Sequence, residues 1–183
     1  MLGDFGATLA AARAGAEWAW RDLYRETAGP VGRFLRARGV RDADDIVGDT
    51  FLNVVRSIER FDGDEDAFRA WVFTIARNTA IDRERWIARR PAHPVDHGDL
   101  ATVGPTGDAE ADAMDALSLE HVRRVLDRVT PDQRDVLLLR ILGGLTVEQV
   151  AAAVGRSAGA VKMLQARGLA AIRREIERGA VTL

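Results

Sequence analysis

The chain has 183 residues, no cysteine and a formal net charge of −2, and 47% of its residues are hydrophobic. That length allows one large or two small packed domains, and the lack of cysteine excludes a disulfide framework and a cysteine-rich zinc site. No basic segment followed by an apolar core stands at the start, and no apolar run reaches the length of a membrane span, so no membrane insertion and a cytoplasmic location are expected.

Residues 1–26 carry Leu9, Trp18, Trp20, Leu23 and Tyr24 in a helix-favouring background. Gly29-Pro30 is expected to break that helix, and residues 31–38 then read as a short second one ended by Gly39. Asp42 is placed to cap a helix over about 43–60, where Ile46, Val47, Phe51, Val54, Val55 and Ile58 recur at helical spacing. After the Phe61-Asp62-Gly63-Asp64 break, a long helix is predicted over about 66–89, stopped by Pro91 and Pro94. Phe68, Trp71, Val72 and Ile75 follow i, i+3, i+4, i+7, which marks Trp71 as core. Arg77, Asn78 and Arg83 lie off that stripe, where an asparagine can read a base edge and arginines can meet phosphates.

Charge is strongly blocked. From Asp42 to Asp66 nine acidic residues face two basic ones, and from Arg69 to Arg90 six arginines face two acids. An acidic helix beside a basic helix suits a protein that meets a basic protein surface and a phosphate backbone together. Two solvated helices pairing their charges with each other is the plainer alternative.

Residues 91–116 hold three prolines and neither lysine nor arginine, and seven acidic residues fall between Arg90 and Arg123. Such a composition predicts a flexible, self-repelling linker. It divides the chain into a domain over 1–91, a linker over 92–116 and a second domain over 117–183.

In that second domain Thr130-Pro131 with Gln133 makes a capping box with proline at the first helical position, and Thr146 with Gln149 makes another. Gly143-Gly144 ends the first of these helices, in which Val136, Leu137, Leu139 and Ile141 form an apolar stripe. Gly155 can take a left-handed C-cap, and Ser157 can cap a last helix with Val161, Leu164, Gly168, Ile172 and Ile176 on one face and Lys162, Gln165 and Arg167 on others. A short helix, a glycine turn and a longer basic helix make a helix-turn-helix, whose second helix enters the major groove of DNA. From Arg156 to Arg178 six basic residues outnumber two acids. No stretch alternates with a period of two for long enough to suggest a strand, so the fold class is all-α.

Catalytic constellations are lacking. His93 and His97 have metal-like spacing but sit in a proline-rich stretch with no cysteine to complete a site, and His121 stands apart. The segment 62–66 resembles the start of a calcium loop, yet Ala67 replaces the required glycine and Phe73 the closing glutamate. Nucleotide-binding glycine motifs are absent. No catalytic residue, metal or cofactor is expected.

DADDIVGDTFLNVVRSIERF (42–61) and FRAWVFTIARNTAIDRERWIARRP (68–91), followed by an acidic linker and a helix-turn-helix, resemble a bacterial RNA polymerase sigma factor of the sigma-70 family. The form is the compact extracytoplasmic-function (ECF, group IV) type, with only regions 2 and 4, and the resemblance runs over about 18–174. It implies that Asp45, Asp49, Phe51 and Asn53 dock on the β′ clamp helices of core RNA polymerase, and that region 4 meets the β flap. It implies that residues 61–68 with Asn78 capture a flipped −10 base, and that Arg77, Asn78, Asp82 and Arg83 belong to the −10 reading and melting element. Arg156, Ser157, Lys162, Gln165 and Arg167 would fall on the −35 reading helix. The chain departs from the family pattern in two places: Met163-Leu164-Gln165 stands where Ser-Arg-Leu is usual, and Gly48 stands where glutamine is common. Promoter DNA, core polymerase and an anti-sigma factor are the expected partners. A conventional helix-turn-helix regulator that binds duplex DNA without polymerase is the alternative.

Overall fold

The computed structural model describes residues 4–89 and 122–178, and every regular element among them is helical. The predicted linker, His93, His97 and His121 lie outside the described residues. Helix α1 (Phe5–Arg13) is capped by Asp4, whose side chain accepts from the Ala7 N–H at 3.0 Å. Gly15, at φ +83°, turns the chain into α2 (Glu17–Arg38).

The break expected at Gly29-Pro30 does not occur: α2 is continuous through Pro30. Proline costs a helix one hydrogen bond to the carbonyl four residues back. Here that loss is outweighed by a long buried face, on which Ala19, Leu23, Val31, Phe34 and Leu35 are fully enclosed. The real interruption lies earlier, at residues 14–16, where Gly15 can take a conformation that costs other residues strain.

Helix α3 (Ala43–Ser57) buries Ile46, Val47, Thr50, Phe51 and Val54, and a single 3₁₀ turn (Ile58–Arg60) carries the chain out of it. Val55, expected on the apolar stripe, is instead half-exposed, as is Leu52. After the 61–64 loop, α4 (Glu65–Arg89) buries Phe68, Val72, Phe73, Ala76 and Ala80 against α2 and α3. The Phe34 and Phe73 rings meet edge to face at 5.5 Å in the centre of this first unit.

The second unit opens with helical residues 122–126 and continues with α5 (Pro131–Ile141), α6 (Val147–Val154) and α7 (Ala158–Glu177). Both predicted capping boxes form, each with its threonine and its glutamine bonded to the other's backbone N–H. Helix α5 buries four consecutive apolar residues, Val136 to Leu139, whereas Ile141 lies exposed. Helix α7 crosses α5 at Gly168, where an added Cβ would stand 2.9 Å from Leu137 Cδ1.

The two units pack on each other through α5 on α2 and α6 on α4. At the centre of that contact lies Asp135, which is 3% exposed. Its Oδ1 accepts from Arg38 Nε at 2.9 Å and its Oδ2 from Arg77 Nε at 2.7 Å. Arg38 also pairs with Glu84 of α4. Burial works against the Arg38 charge, but Asp135 and Glu84 more than offset this and raise its pKa above the usual arginine value. Arg134 adds a bond from α5 to the Arg38 carbonyl at 3.3 Å.

One carboxylate thus bridges two largely enclosed guanidinium groups from the other unit, with Glu84 as a second partner for Arg38. Removing it would leave the Arg77 charge buried without a carboxylate and Arg38 with Glu84 alone, and loss of a buried partner costs about 3–5 kcal/mol where the charge cannot regain water. Here it can, by parting the units. Asp135→Asn is therefore expected to increase the radius of gyration in small-angle scattering while leaving helical content by circular dichroism unchanged.

Candidate nucleic-acid interface

The side chains singled out from the sequence are held by three elements: α3, α4 and the helix-turn-helix formed by α6 and α7. On α3, Asp45, Asp49 and Leu52 repeat at i, i+4, i+7 and are exposed, with Val55 beside them. This face is acidic with an apolar strip. Phe51 does not belong to it: its ring is buried, 8% exposed, and packs on Tyr24 at 4.6 Å. Phe51, expected to touch polymerase, packs beneath the half-exposed Tyr24 and supports this face from below.

Two hollows flank α3, and they divide the predicted residues differently from the sequence reading. Asn53 lines a groove with Asn78 and Asp82, together with Arg56, Ser57 and Arg60. Its amide donates to the Thr79 hydroxyl at 3.4 Å. A residue expected on the polymerase side thus sits among the −10 candidates. Arg83 moves the other way. It lines a hollow with Asp44, Asp45, Asp49 and Leu52, reaches Asp42 at 3.7 Å, and lies over the Trp86 ring at 5.1 Å. Helix α4 is long enough to present successive turns to different sides of α3, so residues five apart in sequence serve different surfaces.

Arg77 is the clearest departure. It was expected to meet DNA, yet its side chain is 14% exposed and is bound to Asp135. A further terminal nitrogen approaches the Ala153 carbonyl of α6 at 3.4 Å. In this arrangement its charge is already matched. Trp71, predicted as core, is partly buried and stacked on Phe61 with ring centres 4.9 Å apart and 27° between planes.

In the helix-turn-helix, Gly155 adopts φ +66°, and Ser157 caps α7 by accepting from the Ala160 N–H at 3.2 Å. Ser157 is thus occupied by its own helix. Arg156 is exposed and paired with Asp132 at 2.8 Å, an ion pair open enough to exchange for a phosphate. Lys162 and Arg167 are exposed on the outer side of α7. Gln165 is not. It is half-buried on the side that carries Val161, Leu164 and Gly168, so the expected outward placement of Gln165 is corrected.

Sequence reasoning missed Arg38 and Asp135. A signal for Asp135 was present: with Leu139 and Leu142 it repeats at i, i+4, i+7, which places a lone carboxylate on an apolar stripe. Such a group is buried only with a partner.

Residues 22–90 match the family model for sigma-70 region 2, and residues 125–174 match that for sigma-70 region 4. The chain is 31% identical to the ECF RNA polymerase sigma factor SigD of Mycobacterium tuberculosis, over 93% of this chain and 82% of that one. It is also 31% identical to the ECF RNA polymerase sigma factor BldN of Streptomyces coelicolor, over 89% of this chain. The alignment spans 62% of the BldN length. Among solved structures, the sigma factor RpoE of Bartonella quintana, crystallised with the anti-sigma factor NepR, superposes with a TM-score of 0.65 at 20% identity, over 86% of this chain and 96% of that one.

The half-buried position of Gln165 makes a direct prediction. Gln165→Leu should stabilise the second unit by up to about 1 kcal/mol through apolar burial, and leave duplex binding unchanged. Lys162→Ala should leave stability unchanged and weaken duplex binding. Thermal melting and fluorescence anisotropy on the same samples would separate the two effects.

Proposed function

This chain belongs to the sigma-70 family, in its extracytoplasmic-function branch, and we propose that it binds core RNA polymerase and directs it to promoters, where it recognises −35 and −10 elements and assists −10 melting. The observation that carries this reading is the presence, in order, of a region 2 unit and a region 4 helix-turn-helix, each with its own polar surface.

The acidic-apolar face of Asp45, Asp49, Leu52 and Val55 is suited to a basic coiled surface such as the β′ clamp helices. Apolar area there supplies affinity, and the carboxylates supply register and encounter rate. The groove of Asn53, Asn78 and Asp82, rimmed by Arg56 and Arg60, is suited to an extruded base of the non-template strand. Amides and a carboxylate can pair with its edge while arginines hold the backbone. Lys162 and Arg167 would read and grip the −35 duplex, with Arg156 released from Asp132 to a phosphate, and region 4 would dock on the β flap.

Neither element is large, and opening DNA costs a few kcal/mol of unstacking. Tethering supplies what each lacks. Binding at one element raises the effective concentration of the other, provided the spacing allows both. Arg77 links this to the fold: it can serve DNA only after it exchanges Asp135 for phosphate, which parts the two units. The chain therefore shifts from a closed form to an open one on the polymerase, in proportion to the differential affinity of the polymerase for the open form. A partner of the kind solved with RpoE, an anti-sigma factor, would act by covering these faces or by favouring the closed form. The role is recognition and assembly.

Reconstitution with core polymerase and transcription from a library of randomised −35 and −10 elements tests this. Selected promoters are expected, with initiation lowered about tenfold to hundredfold by Asn78→Ala, in line with the loss of one bidentate base contact worth about 1–3 kcal/mol. Stable duplex binding by the free chain with no binding to core would instead identify a conventional helix-turn-helix regulator.

A further inference from the structure

We propose that Arg13, on a helix that precedes the region 2 match, is a positioning residue for the 61–64 loop and thereby for selection of the −10 base. This rests on the sigma-factor reading above. Helix α1 ends before residue 22, where the family match begins, yet it is fastened to the loop's root. Arg13 Nε donates to the Ile58 carbonyl at 3.3 Å, and a terminal nitrogen of the same guanidinium donates to the Phe61 carbonyl. These two acceptors bracket the 3₁₀ turn. The Ile58 carbonyl also accepts from the Phe61 N–H at 3.2 Å, so the planar fork locks a turn that is already closing on itself.

The loop is then determined from both ends. At its exit, Asp64 Oδ1 accepts from the Ala67 N–H at 2.8 Å and caps α4. At its entry, the Phe61 ring is stacked on Trp71 and meets Phe68 edge to face at 5.5 Å. The far end of α1 joins the same cluster through Phe5, 5.6 Å from the Phe68 ring. Between the two ends there is no slack. A Cβ at Gly63 would stand 3.0 Å from Phe61 Cζ and 2.8 Å from Ala67 Cβ, so the loop tip lies directly on the Phe61 ring. A displacement of the Phe61 backbone is therefore passed forward to Asp62, Gly63 and Asp64, which are exposed, and back to Arg60, which lies inside the locked turn and lines the groove of Asn53, Asn78 and Asp82. Arg13 controls that displacement without itself facing the groove of Asn53, Asn78 and Asp82.

A residue that merely stabilised the unit would lower core binding and thermal stability without altering which base is preferred. A positioning residue changes the preference. The test uses the full chain reconstituted with core polymerase, on a promoter series carrying each of the four bases at the captured −10 position, in duplex and in pre-opened form. Arg13→Ala is expected to lower open-complex formation on the duplex about tenfold, as befits loss of a charge-assisted clamp. It should flatten base preference on both templates and keep core affinity. Arg13→Lys, which retains the charge but not the planar fork that reaches both carbonyls, should recover part of the preference, and it is read in the same way if the alanine variant fails to fold. An unchanged base preference, or a loss of core affinity equal to the loss of opening, overturns the proposal. Failure of the unsubstituted chain to open any promoter overturns the sigma-factor reading and this proposal with it.

Discussion

The closed arrangement of this molecule depends on one carboxylate. Asp135 lies between two arginines of the other unit, and each of its oxygens takes one of them. An interior ion set of this kind contributes little net energy, because desolvation consumes most of the attraction. What it supplies is register. Only one placement of α5 against α2 and α4 brings the carboxylate to both guanidiniums, so a contact of modest strength has a defined geometry. The same physics makes it reversible: once the units part, water and phosphate solvate all three charges, and little is lost.

That reversibility ties packing to function through Arg77. It stands one residue before Asn78, which faces a groove on the open side of α3 and α4, while Arg77 faces the second unit. Neighbours on a helix point about 100° apart, so a single turn of α4 holds one group ready for DNA and another held in reserve. Closure and nucleic-acid binding thereby compete for the same short segment.

The region 2 unit shows a similar economy in its aromatic residues. Phe61, Phe68, Trp71 and Phe5 form one cluster that fixes the loop between α3 and α4, while Phe34 and Phe73 form the interior contact that holds α2 to α4. Aromatic rings among arginines can stack on bases, but Phe61 and Phe68 are buried and act through the backbone they support, while Trp86 stays exposed beneath Arg83. The polar groups left outside, Asn53, Asn78 and Asp82, are short side chains on helices, and a rigid scaffold of this kind suits discrimination between bases.

The sequence by itself determined the family and the helices of the second unit with their caps, whereas Asp42, expected to cap α3, stands at its N-cap position without a side-chain bond to the helix. Thr130 with Gln133, Thr146 with Gln149, Gly155 and Ser157 form their caps through bonds to residues no more than four positions away, so the local sequence suffices to specify them. The stripe of Phe68, Val72 and Ile75 was legible for the same reason. Only the tertiary structure decided matters that involve residues far apart in the chain. Pro30 was tolerated because the faces that flank it are buried against other helices. Phe51 and Gln165 turned inward, and Arg83 and Asn53 changed sides, because neighbouring helices set which part of each surface stays open. Arg13 meets a loop 45 to 48 residues away, and Asp135 meets partners 58 and 97 residues away. Periodicity reports which face of a helix is apolar, but it carries no term for the identity of the element across from it, and it is that element that supplies the partner for a charge.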